Sequence, residues 1–352
     1  MNAFPTRRLF LLLSTLFLLS YLPTPSSSSS GPLSTSSSVV LCNKDDYAAL
    51  MKIKAAFHNA SYFASWIPNT DCCNWTSVKC GDNSNSTNRI TSLYIASAAF
   101  IFGHIPVDVG DLPYLESLVL IENLKVTGTI PSTITKLKFL GNLALSHNNL
   151  SGPIPSFLSQ LPNLHSLDLS TNQFSGSIPS SLSDLPKLKQ IILNSNSLTG
   201  VIPESFGKFQ SRQSFWLDLS NNQLSGEIPK SFGDIDFFEI DLSGNKFVGD
   251  ASMLFKANGS TEMIELSMNQ MLEYNLSNVE IGKNLMYLRI SHNKIFGSIP
   301  EAVTRMSNWQ YFDVSYNLLC GKIPQGGNLQ QFDSSSFYPN KCLCGAPLAA
   351  CK

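Results

Sequence analysis

The 352-residue chain is poor in charge: Asp, Glu, Lys and Arg make up 14% of it, and 24 bases against 25 acids leave a formal net charge of −1. That balance argues for neither a nucleic-acid nor an acidic partner. Histidine is scarce. His58, His104, His147, His165 and His292 are scattered, without ligand or triad spacing. The chain has no nucleophile elbow, phosphate loop or metal motif, and no Cys-x-x-Cys or paired-His spacing of the kind zinc requires. Cysteine is missing from the whole stretch between Cys80 and Cys320. After Leu22 no stretch is long and apolar enough to span a bilayer, and no kinase-like segment follows. These absences point to a protein that is not an enzyme, with no cofactor, metal, nucleic-acid partner or membrane span.

The ends indicate where such a chain works. Arg7 and Arg8 precede a short apolar run, Leu9 to Leu22, placed as a secretory signal. We expect a signal peptide over 1–25 and a Ser-rich low-complexity segment over 26–41. Eight cysteines, an even number, cluster at the two ends and suggest an oxidising compartment. Six Asn-x-Ser/Thr sequons, at Asn59, Asn74, Asn85, Asn149, Asn258 and Asn275, are candidate glycosylation sites and fit a secreted, extracellular protein.

What the sequence has in abundance is a repeat, L-x-L-x-x-N-x-L-x-G-x-I-P. Its paired strand positions are Leu93/Ile95, Leu118/Leu120, Leu143/Leu145, Leu167/Leu169, Ile191/Leu193, Leu217/Leu219, Ile240/Leu242, Ile264/Leu266, Leu288/Ile290 and Phe312/Val314. These define ten units, 23 to 26 residues apart. A period of roughly 20–29 residues with this consensus marks a leucine-rich repeat. The expected fold is an α/β solenoid: a right-handed leucine-rich-repeat superhelix over 90–319 with a concave parallel β-sheet. Disulfide-bonded caps over 42–89 and 320–352 would cover the open ends.

Within each unit an Asn follows the first strand position by five residues, from Asn123 and Asn148 to Asn317; unit one has Ala98 instead. A buried Asn at that register satisfies backbone groups of the neighbouring turn. Gly-x-Ile-Pro then turns the chain outward, since Gly permits positive φ and Pro fixes φ. Units seven and eight lack this motif, so 249–282 is expected to be irregular. In the N-terminal cap, Asp45 or Asp46 is the expected N-cap of an amphipathic helix through Phe57. Adjacent Cys72 and Cys73 do not bridge each other; one pairs with Cys42 and the other with Cys80. In the C-terminal cap Cys320–Cys342 and Cys344–Cys351 are expected.

Solenoids bind on the concave face. The residues between the paired strand positions, with two flanking residues on each side, include nine acids: Asp168, Asp218, Asp241, Glu265, Asp313, Glu116, Glu122, Glu239 and Glu262. Against them stand only Lys189 and Arg289. Asp218, Asp241 and Glu265 share one register on consecutive strands, ~4.8 Å apart. Such a row is either solvated and offset by Arg289, or it receives a basic partner. Phe215, Trp216, Tyr287, Tyr311 and Tyr316 accompany it as hot-spot candidates.

The cap motif Trp66…Asp71-Cys72-Cys73-Asn74-Trp75 is distinctive. So are Gly249-Asp250-Ala251-Ser252, Tyr274-Asn275-Leu276-Ser277-Asn278-Val279-Glu280 and Lys341-Cys342-Leu343-Cys344-Gly345-Ala346-Pro347-Leu348. Together with the Gly-x-Ile-Pro units they resemble the plant polygalacturonase-inhibiting proteins, from about Cys42 to the end. The resemblance implies a plant-defence protein of the cell wall that binds fungal or insect polygalacturonase on its concave strands, in contact with pectin. Asp168 and Asp241 keep the acid expected there, whereas Asn194 stands where an acid is common. The expected partner-binding set is Asp168, Lys189, Asn194, Trp216, Asp218, Asp241, Glu262, Glu265, Arg289 and Asp313. A non-inhibitory extracellular recognition protein for a peptide or receptor ectodomain is the alternative. An ice-binding role would want a flat array of Thr or Asn, which the charged row opposes.

Overall fold

The computed structural model describes residues 42–82, 86–98, 100–209 and 213–352. The expected signal peptide, the Ser-rich segment and Asn85 lie outside the described residues. Ten parallel strands, one per unit, form the main sheet: Ile90–Ala96, Ser117–Ile121, Asn142–Ala144, Ser166–Asp168, Gln190–Ile192, Gln213–Asp218, Asp236–Asp241, Met263–Glu265, Tyr287–Arg289 and Tyr311–Asp313. An antiparallel cap strand, Val78–Cys80, makes the eleventh at the N-terminal edge. The paired Leu, Ile, Phe and Val positions of every unit are buried in one continuous core, which is how a solenoid substitutes stacking for a single large core.

The other side of each coil differs from a plain α/β arrangement. After seven of the eight Gly-x-Ile-Pro motifs the chain forms a five-residue 3-10 helix, such as Ser156–Gln160 after Pro155, which buries Leu158; after Pro324 the next is the three-residue Leu329–Gln331. A 3-10 turn rises faster per residue than an α-turn, so it crosses the outer side within a short repeat. Between the two lies a second set of parallel strands the sequence reading did not anticipate. An eight-stranded sheet runs from Gly103–His104 to Met271–Leu272, and a separate three-stranded one joins Phe296–Gly297, Leu318–Lys322 and Cys342–Cys344. The gap between them falls in the expected irregular region. Unit eight carries one extra residue: Leu272 follows its ladder Asn269 by three positions, whereas Leu224 follows Asn222 by two.

The Asn ladder is directional. Asn172 Nδ2 donates to the Leu145 carbonyl of the preceding unit at 2.8 Å and to Leu169 and Ser170 of its own, while its Oδ1 accepts from the Leu150 N–H at 3.0 Å. Each Asn therefore completes the unit before it. Ala98 suffices in unit one because no repeat precedes it, and the Ala98 N–H is itself bound by Asn123 Oδ1 at 3.1 Å. The ladder also runs one rung further than expected. Asn340, in the C-terminal cap, accepts from Leu319 N–H at 3.0 Å and donates to Val314 and Phe337 carbonyls. One rung is incomplete: the buried Oδ1 of Asn293 has no hydrogen-bond partner.

The caps follow the cysteine pattern, with bridges Cys42–Cys72, Cys73–Cys80, Cys320–Cys342 and Cys344–Cys351. The N-cap of the helix Lys44–Ala56 is Asn43, not Asp45 or Asp46, because the Asn43 Oδ1 accepts from both of their N–H groups. Asp46 is fully buried and does something else. It takes a bidentate ion pair from Arg89 at 3.0 and 2.8 Å and accepts the Ile90 N–H at 2.8 Å, locking the helix to the first repeat. Trp66 and Trp75 stack at 5.5 Å beneath it.

Candidate partner-binding face

The register of the main sheet assembles the expected row. Asp218 pairs with Asp241, Asp241 with Glu265, Glu265 with Arg289 and Arg289 with Asp313; Asp168 lies two strands from Asp218, across Ile192. A parallel row beside it runs Gln190, Trp216, Glu239, Met263, Tyr287 and Tyr311. Lys189 is exposed, and Asn194, Trp216 and Glu262 are half-buried. At the N-terminal end the equivalent positions Val119 and Ala144 are apolar and buried. The charged part of the face therefore begins at Asp168.

The acids are more than solvated decorations. Asp218 Oδ1 accepts from the N–H of Ser220 at 2.9 Å and from its hydroxyl at 2.7 Å. Asp241 does the same with Ser243, Asp168 with Ser170 and Asp313 with Ser315. Each carboxylate thus caps, through one oxygen, the turn that leaves its strand. Sequence reasoning missed this; the signal was the Asp-x-Ser spacing itself. Glu265 departs from the pattern: only 4% exposed, it accepts from Ser267 N–H at 3.0 Å and pairs with Arg289 Nη1 at 2.9 Å. Arg289 lies 5.0 Å over the Tyr311 ring. Among the described residues this is the only ion pair on the face.

The aromatic expectation needs one correction. Phe215 is fully buried and stacks on Phe209 at 4.6 Å. Strict alternation already places it on the side of Leu217 and Leu219. Trp216 is half-buried beside the acidic row, and Tyr316 is exposed, stacking on His292 at 4.1 Å.

Burial, with repulsion from neighbouring acids, makes Asp218, Glu239, Asp241 and Glu265 hold their protons tightly. Burial and the Asp241 charge push Asp218 well above the usual carboxylate range, and burial raises Asp241 as well. Burial, then Glu262 and Asp241, lifts Glu239 from 4.5 to about 7. Glu265 rises to about 8, through burial and the Asp241 charge, against the opposing pull of Arg289. A carboxyl that binds its proton more tightly when folded favours folding most at low pH. Its contribution is lost as pH climbs from the unfolded value through the folded one. For Glu239 that window is 4.5 to about 7. The melting temperature is expected to fall across it, and Glu239→Gln to remove a part on the order of 2 kcal/mol. Thermal scans of both proteins at stepped pH check this; parallel curves would dismiss it.

The described residues contain no group of three or more His, Cys, Asp or Glu placed to hold a metal ion, and no helix long and apolar enough to cross a membrane. Of the sequons, Asn59, Asn74 and Asn258 are exposed, while Asn149 and Asn275 are half-buried. The rows on the main sheet form a broad acidic and aromatic surface.

That combination of stacked coils, capped ends and a charged inner sheet defines a leucine-rich-repeat recognition protein. Family models agree: a leucine-rich-repeat N-terminal domain matches residues 43–81, and leucine-rich repeats match 139–198, 162–224, 215–235 and 284–306. The chain belongs to the polygalacturonase-inhibitor family. It is 61% identical over 312 residues to a polygalacturonase inhibitor of Pyrus communis, covering 89% of this chain and 92% of that one. It is 53% identical over 345 residues to the leucine-rich repeat protein FLOR 1 of Arabidopsis thaliana, covering 98% and 100%. Among solved structures, a plant ice-binding protein superposes with a TM-score of 0.84 at 44% identity, over 88% of this chain and 98% of the other.

Proposed function

We propose that the protein is a secreted, non-enzymatic plant-defence inhibitor that blocks polygalacturonase by laying its concave face over the enzyme's cleft. The observation that carries this reading is the acidic row Asp168, Asp218 and Asp241 beside Trp216, Tyr287 and Tyr311, in a chain of this family. Outward-facing carboxylates steer and orient a basic rim, and the aromatic side chains supply contact area. Lys189, Asn194, Glu262, Arg289 and Asp313 flank the row as further contacts. The extracellular setting fits the four disulfides. Fungal and insect polygalacturonases are both candidate targets, and cell-wall pectin is a candidate third component.

The test is reducing-sugar release from polygalacturonic acid by a panel of fungal and insect polygalacturonases near pH 5, with increasing amounts of the secreted protein. Dose-dependent loss of activity against at least one enzyme is expected. Full activity across the panel, with a folded protein, would overturn inhibition. The relative FLOR 1, with 53% identity and a different name, makes a recognition module for a basic peptide the second reading, since such a ligand wants the same acids.

A further inference from the structure

The outer sheet begins, at its N-terminal edge, beside a group of exposed apolar side chains: Phe100 is 69%, Phe102 45% and Leu124 74% exposed. The repeat explains them. Ile101 follows Ala98 by three positions and Val126 follows Asn123 by three, whereas Phe174 follows Asn172 by two. The first two units thus carry one extra residue each, which leaves Phe100 and Leu124 outside the packed core. Strand pairing then brings the two units together. Gly103 pairs with Val126, and the Gly103 N–H donates to the Lys125 carbonyl at 3.2 Å. Single exposed apolar residues are ordinary, but a group of large ones marks a contact surface.

The neighbouring turn names the occupant. After the helix Lys44–Ala56 the His58 N–H donates to the Ala55 carbonyl and the Asn59 N–H to the Lys54 carbonyl, both at 2.9 Å. This double closure ends a helix on a left-handed residue, here His58 at φ 55°, with Asn59 following at φ 52°. The His58 ring stacks on Phe102, centroids 4.3 Å apart and 12° from parallel. Asn59 opens the sequon Asn59-Ala60-Ser61, and both Asn59 and Ser61 are exposed. Among the described residues the Asn59 side chain makes no hydrogen bond. Other sequon side chains are engaged: Asn74 Nδ2 donates to Asp71 at 3.3 Å, Asn149 Oδ1 accepts from Gln173, and Asn275 Oδ1 accepts from the Ser277 N–H at 3.0 Å. Asn258 is exposed, but Phe255 beside it in the chain is only 7% exposed.

We propose that Asn59 is N-glycosylated and that the first sugars of its glycan lie on Phe102 and Phe100. In the transfer, Asn59 Nδ2 bonds to the anomeric carbon of a lipid-linked oligosaccharide whose first sugar is N-acetylglucosamine. The bond from that carbon to the pyrophosphate oxygen breaks, the lipid pyrophosphate leaves with its electron pair, and the proton lost from nitrogen passes to a base. One face of the pyranose presents C–H groups, which pack on the electron-rich face of an aromatic ring. The glycan so seated covers apolar surface that the fold leaves open. None of this depends on polygalacturonase binding. It rests on passage through an oxidising secretory compartment, which the four disulfides call for.

Glycopeptide mass spectrometry of the full chain secreted from plant cells tests the linkage. Enzymatic release of the glycan in heavy-oxygen water should turn Asn59 into labelled Asp, and Asn59→Gln and Ser61→Ala should each lose the mass of one glycan. An unlabelled Asn59, whatever the state of the other sequons, would overturn the proposal. The seat is tested by coupling. Ser61→Ala should lower the melting temperature by a few degrees and increase binding of an apolar dye. With Phe100→Ser and Phe102→Ser already in place, the same loss of glycan should change neither. Asn258→Gln should show no coupling to the aromatic pair. An equal drop in melting temperature with and without the two aromatic rings would leave the glycan in solvent, and sedimentation of the glycosylated protein as a dimer held by Phe100 and Phe102 would put a second copy on the patch. Either result overturns the seat.

Discussion

Asn222→Ala is expected to destabilise the protein by about 2–3 kcal/mol, beyond what its small change in apolar burial suggests. The side chain is 8% exposed. Its Oδ1 accepts from the Leu198 N–H at 3.0 Å, and its Nδ2 donates to the carbonyls of Leu193, Leu219 and Ser220 at 3.0, 3.1 and 3.2 Å. Alanine leaves the Leu198 N–H without its acceptor at a depth where water does not replace it, and takes one of two donors from each carbonyl: Leu193 keeps Asn196 Nδ2 at 3.1 Å, Leu219 keeps Asn245 Nδ2 at 2.9 Å and Ser220 keeps the Ser195 N–H at 2.9 Å. The isosteric Asn222→Asp is the sharper probe, since it keeps the acceptor for Leu198 and turns the donor into a second acceptor among three carbonyls. It should be at least as unstable as the alanine variant at neutral pH and recover on acidification, when a protonated carboxyl donates again. Urea unfolding followed by far-ultraviolet circular dichroism reads both. A loss below about 1 kcal/mol in either variant would mean that the ladder is ornamental.

Reversal of Asp218 and Asp241 to Lys is expected to weaken binding to a basic polygalacturonase at least about a hundredfold and to flatten its salt dependence, each charge pair counting on the order of 1.5 kcal/mol. The neutral pair, Asp218→Asn with Asp241→Asn, separates function from folding. In the wild type the Asp241 charge, at the adjacent strand position, adds to burial in raising the proton affinity of Asp218, and burial raises that of Asp241. Neutralising them removes that repulsion, so the double Asn variant should melt higher than wild type at pH 7 while binding less tightly. A site maintained for stability alone would show the opposite sign. A basic partner favours the ionised face, so affinity should also rise as pH climbs from 4.5 to about 7, the interval over which Glu239 beside the row ionises. Unchanged inhibition and salt slope in the Lys variant would remove the row from the interface.

Most of the scaffold was legible because it repeats. Leu167 and Leu169, Asn172, Gly176 and Pro179 each recur in register, and a pattern seen many times leaves little room for chance. The cysteines were legible because adjacency and end-clustering leave few pairings. What escaped depends on neighbours rather than on the repeat. Asn43 takes the helix cap because Asp46, chemically as good a cap, is needed by Arg89 forty-odd residues later. Glu265 is buried because Arg289, on the next strand, reaches over it. The outer sheet was invisible because its strands are short, polar and built around glycines. Ser170, Ser220, Ser243 and Ser315 fall outside the apolar repeat pattern, yet each hydroxyl donates to the aspartate two residues before it.

The direction of the Asn ladder implies an order of assembly. Each turn is finished only by the rung that follows it in the chain, from Asn123, which serves Ala98, to Asn340, which serves Leu319. A chain emerging from the ribosome can seal its N-terminal end early, through Asp46 and Arg89, but carries one unfinished turn at its growing edge throughout. Any fragment cut short before Asn340 keeps that raw edge, whereas fragments of different lengths share the same closed beginning. Length is therefore policed from the C-terminal side alone. Truncated chains should be retained and degraded in proportion to their one open end, however many complete repeats they contain.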